Sequence, residues 1–378
     1  LEFRRVLFRS AALRAHYRRA DPASRGAQAP VQTLLDLVAL GSIADMVRLD
    51  ENNRRLVHAG LRRIRAGQAC AGISALFAQA GREPRGASSS DLGFLIGPRI
   101  NAAGRLADIS LGIACLLTDA PEAAAGLAQQ LDAINRERRE IEQTMREQAF
   151  ASVGEPPDDT WSIVVHDPGW HEGVIGLVAG QMKTRFARPA FAFAPTADRT
   201  GWRGSGRSVP GIHLRDALDL VSKRNPDLIE RFGGHAMAAG LTVSGDRVTQ
   251  FANAFEQVLR DTADPEHLQP ELMIDGDLDP GEASLELADS LSRQVWGQGF
   301  PEPLFAHRFK VLNQRRVGER HLKLELMSGQ RRFDAIAFGR EQPMPADPTL
   351  AYRLSVNEYR GMRSMQLVIE ACAEDRTL

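Results

Sequence analysis

Four short stretches of this chain concentrate glycine, small residues and isolated polar groups beyond what packing requires. The first is Gly41-Ser42-Ile43-Ala44-Asp45. An Asp at the mouth of an apolar helix–loop–helix is either an N-cap for the next helix or a hard-metal ligand, since carboxylates suit Mg²⁺ or Mn²⁺. The second is Gly97-Pro98-Arg99-Ile100-Asn101-Ala102-Ala103-Gly104-Arg105. It places a backbone close to something and aims one guanidinium, which either pairs with a surface carboxylate or holds a phosphate. The third is Gly201-Trp202-Arg203-Gly204-Ser205-Gly206-Arg207-Ser208. Alternating Gly and Ser can form a nest of backbone N–H groups for an anion or a tight hairpin; the stretch is neither a Walker loop nor a dinucleotide fingerprint. The fourth is Gly233-Gly234-His235-Ala236-Met237-Ala238-Ala239-Gly240, a His in a Gly-Gly turn with only small neighbours. It is the most specific of the four.

The other histidines carry less. His171, between Trp170 and Glu172-Gly173, stands at a site rim, and His213 supports the turn before a helix. His166 at a strand end fits either role. His16, His58, His267, His307 and His321 read as structural. No pair has the zincin spacing and no G-x-S-x-G elbow occurs.

The elements that must position these groups fall into three patterns. From Val31, apolar spacing predicts a helix through Leu40 ending at Gly41, a second over Asn52–Ala66 burying Leu56, Ala59, Gly60 and Ile64, a helix start at Ser88–Leu92, a turn at Gly97-Pro98-Arg99, and a helix over Leu111–Leu117. Pro121 opens a long helix to about Phe150, half solvated and suited to connecting domains. After the break Gly154–Asp159, strands (Trp161–His166, Pro189–Ala194, Leu241–Val243) alternate with helices (Val174–Lys183, Leu214–Ser222, Val248–Arg260), which indicates an α/β domain. Beyond the polar link Asp261–Pro270 the period becomes two. A helix at Leu285–Gln294 and five strands (Phe309–Leu312, His321–Met327, Asp334–Phe338, Tyr352–Tyr359, Met365–Ile369) predict a small OB-type barrel.

With 378 residues, 43% hydrophobic and 25% charged, the chain has ordinary globular composition and room for two or three domains. No run of about 18 apolar residues exists, so no membrane helix is expected. The formal charge is −1, so any nucleic-acid surface must be local. Arginines number 43 against 4 lysines; the guanidinium fork suits phosphate. Cys70, Cys115 and Cys372 are odd in number and far apart, which argues against a disulfide framework and for a reducing, cytoplasmic setting. Leu1–Ser10 (LEFRRVLFRS) is a poor signal peptide and reads as a truncation or cloning junction. Asp21–Pro30 reads as a loop.

Taken together and in this order, the four stretches resemble the DHH phosphoesterase superfamily and, within it, the RecJ family of bacterial single-strand-specific 5′-to-3′ DNA exonucleases. Trp170-His171-Glu172-Gly173-Val174-Ile175-Gly176 and Phe300-Pro301-Glu302-Pro303-Leu304-Phe305 extend the match from about Val31 to the C-terminus. The resemblance implies an α/β chain: a non-native or truncated segment (1–30), the C-terminal part of a DHH catalytic domain (31–118), a connector helix (119–150), an α/β DHHA1 domain (151–262) and an all-β OB fold (268–378). It also implies single-stranded DNA bound between the first two domains, in DNA repair and recombination, with a repair helicase or single-strand-binding protein as partner. Two Mn²⁺ or Mg²⁺ ions would activate the attacking water and stabilise the phosphoryl group. By motif match Asp45 is a metal ligand and catalytic. Arg105, Arg207 and His235, the last also catalytic, hold the scissile and adjacent phosphates, with Asn101 and Ser205 supporting. The OB fold supplies a sequence-tolerant groove for single strands.

One departure matters. The Asp-x-Asp strand end and the Asp-His-His triplet of that superfamily precede the Asp45 motif and have no counterpart here, since residues 1–30 hold one Asp, Asp21, and no His pair. Two hard cations need several ligands, so the chain alone is expected to be weakly active or inactive. Two other readings stand beside the exonuclease: a noncatalytic single-strand binder using the Arg-lined cleft and OB fold, and a DHH-family oligoribonuclease, which has no need of an extended strand groove.

Overall fold

The computed structural model describes residues 12–24, 28, 30–269, 271–318, 320–359 and 361–373. Leu1–Ser10 and part of the Asp21–Pro30 stretch lie outside them. The apolar run after Val31 opens in a 3₁₀ turn (Val31–Leu34) and forms α1 (Leu35–Ala44), with Gly41 inside the helix instead of capping it. α2 (Glu51–Arg65) is started by Asp50, whose carboxylate accepts the Asn53 N–H at 2.8 Å. Val57, Gly60, Leu61 and Ile64 line its buried side, while Leu56 and Ala59 are half-buried. A Cβ on Gly60 would stand 2.1 Å from the Leu35 carbonyl oxygen, so α1 and α2 meet there backbone to backbone. In α3 (Ala71–Gln79) the buried Asp36 carboxylate takes the Cys70 N–H at the helix start, 2.7 Å away.

Ser88 begins the next helix by exchanging hydrogen bonds with Asp91. A π-helical segment (Asp91–Ile96) then runs into α4 (Gly97–Leu106). The turn expected at Gly97-Pro98-Arg99 is therefore helical. Pro98 follows the π-helical segment, with the Gly97 N–H bonded to the Leu92 carbonyl, and the Arg99 guanidinium takes the Leu95 carbonyl at 2.6 Å. A Cβ on Gly97 would stand 2.9 Å from the Ala44 Cβ, which explains the glycine. α5 (Ser110–Leu117) and the 33-residue α6 (Pro121–Val153) complete the helical part.

The α/β part follows as β1 (Ile163–His166), α7 (Ile175–Phe186), β2 (Ala190–Pro195), β3 (Gly201–Arg207), α8 (Leu214–Arg224), β4 (Ile229–Gly234), β5 (Ala238–Ser244) and α9 (Val248–Thr262). The sheet order is β1-β2-β3-β5-β4, with β1 and β2 parallel and the other pairs antiparallel. Two stretches expected as Gly-rich turns thus lie largely in strands. Gly201–Arg207 is β3, and Gly233–Gly240 spans the end of β4 and the start of β5. The reason is packing: Gly204 and Gly206 sit against the rings of Phe193 and Phe191, and a Cβ on either would stand 2.4 Å from a ring carbon. Those rings join Phe251 and Phe255 in edge and stacked contacts with centroids 5.2–5.7 Å apart. Each such pair is worth roughly 0.5–1.5 kcal/mol beyond area burial.

The C-terminal part begins with α10 (Leu285–Ser292), capped by Ser284. Six strands follow where five were expected: β6 (Phe305–Arg308), β7 (Lys310–Val317), β8 (His321–Ser328), β9 (Arg331–Phe338), β10 (Thr349–Tyr359) and β11 (Met362–Cys372). Their order is β6-β10-β11-β9-β8-β7. Only Phe309 separates β6 from β7, so one stretch of chain pairs with β10 at its start and β8 at its end, and the sheet curls back in the manner of an OB fold. Its core holds Leu322, Leu324, Leu326, Phe333, Tyr352 and Leu367.

Contacts divide the chain into two compact units. One combines Leu1–Arg99, Ile113–Gln129 and Glu271–Leu378; the other combines Ile100–Gly112 and Gln130–Pro270. The three cysteines are free, and no helix of the described residues is long and apolar enough to cross a membrane.

Candidate phosphate-binding site

In the second unit the site is built on the alternation of two neighbouring strands. Along β2 and β3, Ala190, Ala192 and Ala194 pair with Arg207, Ser205 and Arg203, so the polar residues of β3 share the face of three buried alanines. The rings of Phe191 and Phe193 take the opposite face. The alanines admit α7 close to the sheet. A Cβ on Gly176, in the first turn of α7, would stand 2.9 Å from the Ser205 hydroxyl and 3.0 Å from Arg207 Nη2. Ser205 and Arg207 are thus held at the start of α7, which no side chain caps. A helix N-terminus carries partial positive charge and unpaired N–H groups, so it favours an anion and disfavours a bare cation.

Arg207 is half-buried and bonds only neutral partners in its own strand, the Gly206 carbonyl at 2.8 Å and the Ser205 hydroxyl at 3.3 Å. Burial pushes its guanidinium below the usual arginine range, and the nearby Arg105 lowers it further. Arg105 arrives from the last turn of α4 and donates to the Gly173 carbonyl at 3.1 Å. Gly173 is required here: a Cβ on it would stand 2.2 Å from the Arg105 carbonyl oxygen. The close backbone approach expected of Asn101–Arg105 is thus made by the Arg105 carbonyl against Gly173; Ala102 and Ala103 are buried, and Gly104 has ordinary room.

His235 lies at the tip of the β4–β5 hairpin and is exposed. Its N–H donates to the Ala238 carbonyl at 2.8 Å, and Ala238 is the residue paired with Arg207. His235 and Arg207 therefore share one end of the sheet. Gly234, at φ 146°, has no room for a Cβ, which would stand 2.4 Å from the Ala238 carbonyl oxygen. Asn101 is exposed one helical turn before Arg105.

The structure thus brings Arg105, Ser205 and Arg207 together, with His235 at the same end of the sheet. Among the described residues no carboxylate pairs with Arg105 or Arg207, and an uncapped helix start beside a guanidinium favours an anion. What sequence reasoning missed is the support. Buried Asn135 and the half-buried Arg138 and Glu142 on α6 form a chain of bonds of 2.8 and 2.5 Å. Burial lowers Arg138 below the usual range against the pull of Glu142, with Arg139 and Arg105 lowering it further. The strict alternation of AFAFAP and RGSGR was the available signal for the strands.

Asp45 belongs to the first unit. It is exposed and closes α1, donating its N–H to the carbonyls of Gly41 and Ile43. The N-cap alternative is overturned, because Asp50 caps α2. A carboxylate at a helix C-terminus faces the negative end of the dipole, where a cation is favoured. Among the described residues no group of three or more His, Cys, Asp or Glu side chains could hold a metal ion. Hard divalent ions take six or more oxygen ligands. These residues alone do not fit a pair of such ions, and no hydrolytic step runs through a metal held by them.

Residues 160–261 match the family model of the DHHA1 domain and residues 274–371 that of the RecJ OB domain. The chain is 47% identical over 349 residues to the single-stranded-DNA-specific exonuclease RecJ of Salmonella typhimurium, covering 89% of this chain and 60% of that protein. Over most of its length the chain is thus similar to RecJ exonucleases. The RecJ of Escherichia coli is 46% identical over the same shares. Crystal structures of Thermus thermophilus RecJ in complex with Mg²⁺ and with Mn²⁺ superpose at TM-score 0.77 with 29% identity, covering 91% of this chain and 52% and 50% of theirs. The chain thus spans about 60% of the length of its RecJ relatives.

Proposed function

We propose that this chain holds the end of a single DNA strand for a metal-dependent 5′-to-3′ exonuclease acting in repair and recombination. The observation that carries this reading is the half-buried Arg207 at the uncapped start of α7, beside Arg105 and without a carboxylate. Arg105 and Arg207 hold phosphate oxygens, with Ser205 and His235 completing the pocket and Asn101 supporting it. Asp45 would contribute one carboxylate to a Mn²⁺ or Mg²⁺ site completed by residues outside those described, and ions held there would supply the nucleophilic water. The OB part follows the strand beyond its end. The enzyme works in the cytoplasm alongside a repair helicase or a single-strand-binding protein. The domain limits 31–118, 119–150, 151–262 and 268–378 belong to the same proposal.

The test is fluorescence anisotropy in EDTA with a 5′-phosphorylated thymidine 10-mer and with a blunt duplex. Preference for the single strand, lost in Arg105→Ala and Arg207→Ala, is expected. Equal binding of the duplex, or unchanged affinity in both variants, sinks the reading. In Mn²⁺, stepwise shortening of labelled single strands that disappears in Asp45→Ala shows a working metal at Asp45. Intact strands leave this chain the noncatalytic, strand-holding role.

A further inference from the structure

His171, like His213 and His321, accepts a backbone N–H on Nδ1, and what distinguishes it is that the Gly173 it bonds also takes the Arg105 guanidinium. His307 has both bonded, to Asp277 at 2.8 Å and Ser328 at 2.7 Å. His213 caps α8 and His321 accepts the Gly339 N–H. His171 accepts the Gly173 N–H on Nδ1 at 3.0 Å, which places the neutral ring's proton on Nε2, and the ring is exposed.

The loop carrying this ring is pinned on three sides. Trp170 donates its indole N–H to Gln148 of α6 at 2.8 Å. Glu172 pairs with Arg203 of β3 at 3.5 Å. The Gly173 carbonyl takes the Arg105 guanidinium at 3.1 Å. Two hydrogen bonds and one glycine therefore link the His171 ring to Arg105. Two residues later the same segment enters α7, where Gly176 touches Ser205 and Arg207. The turn itself needs only an acceptor, which Asn or Ser provides as well. What the imidazole adds is the Nε2–H.

We propose that His171 is a further phosphate-binding residue of this site, donating Nε2–H to a phosphate oxygen of the strand held by Arg105 and Arg207. The proposal rests on the phosphate reading above.

His171→Asn keeps the turn bond and removes the outer donor. The probe is the 5′-phosphorylated thymidine 10-mer in EDTA, read by anisotropy with Arg207→Ala alongside. A hydrogen bond to a charged group predicts about a tenfold loss of affinity in His171→Asn at an unchanged melting temperature. Wild-type affinity in His171→Asn, with Arg207→Ala weakened, overturns the proposal and leaves the site intact. Wild-type affinity in both overturns the phosphate reading and this proposal with it. His171→Ser, which makes the same turn through its hydroxyl, repeats the measurement if the Asn variant folds poorly.

Discussion

Two half-buried arginines in this molecule have opposite surroundings. Arg353 of β10 meets two carboxylates, Glu370 at 3.0 Å and Glu302 at 3.8 Å, and donates to the Glu302 carbonyl at 3.1 Å. Arg207 of β3 meets a hydroxyl and a backbone carbonyl, and has another arginine for a charged neighbour. A partly buried charge needs compensation. Arg353 receives it from its own chain, whereas Arg207 receives none from the described residues. The contrast separates an arginine paired within its own chain from one whose counter-charge, in the proposed reading, is a phosphate.

The comparison breaks first on paired truncations. Arg207→Ala should weaken binding of phosphorylated single strands roughly 10- to 100-fold and reduce the salt dependence by about 0.7 in slope. Its melting temperature should stay level or rise, because a desolvated cation beside Arg105 is gone. Arg353→Ala should do the reverse, costing about 1–2 kcal/mol of stability and leaving strand affinity near wild type. Equal loss of stability in the two variants would erase the distinction.

The next effect is geometric. Gly173→Ala removes no donor, yet its Cβ would stand 2.2 Å from the Arg105 carbonyl oxygen. Overpacking of this kind costs about 1–3 kcal/mol, and the shifted loop should also weaken strand binding. Denaturant titration and anisotropy on the same preparation check both. Gly204→Ala, against the Phe193 ring, should lose comparable stability through the aromatic core, with Ser205 and Arg207 left on the opposite face and binding largely retained.

The smallest effect concerns pH. Burial raises the Glu302 carboxyl above its usual range, against the pull of Arg353, and Glu370 adds to the rise. The folded state then holds this proton more tightly than the unfolded chain, so stability falls as pH rises from the ordinary glutamate range through the raised one. Denaturation midpoints across that range should show this slope diminished in Glu302→Gln and steeper in Arg353→Ala. Arg207→Ala should leave it unchanged.

Much of this was legible in the residues. Apolar spacing marks α1, α2, α5 and α6, and Phe251, Phe255 and Val258 on one face mark α9; α3 and α4 it did not mark. The failures have a common cause. Gly201–Arg207 looked like a loop because glycine is poor in strands taken alone, but here the rings of Phe191 and Phe193 need the space. Gly97-Pro98-Arg99 looked like a turn because its breakers were counted without the end of α1 packed on Gly97. β6 escaped notice because a four-residue strand has little period to show.

By itself the sequence determined which residue types could meet a phosphate, and the order of motifs that resembles the RecJ family. Local preference and side-chain chemistry are written in neighbours along the chain. Only the tertiary structure decided that Arg105 reaches Gly173, 68 residues away, and that Ser205 and Arg207 share the face of β3 beneath the start of α7. Those facts depend on strand register and on backbones close enough to exclude a single methyl group, which no local pattern encodes.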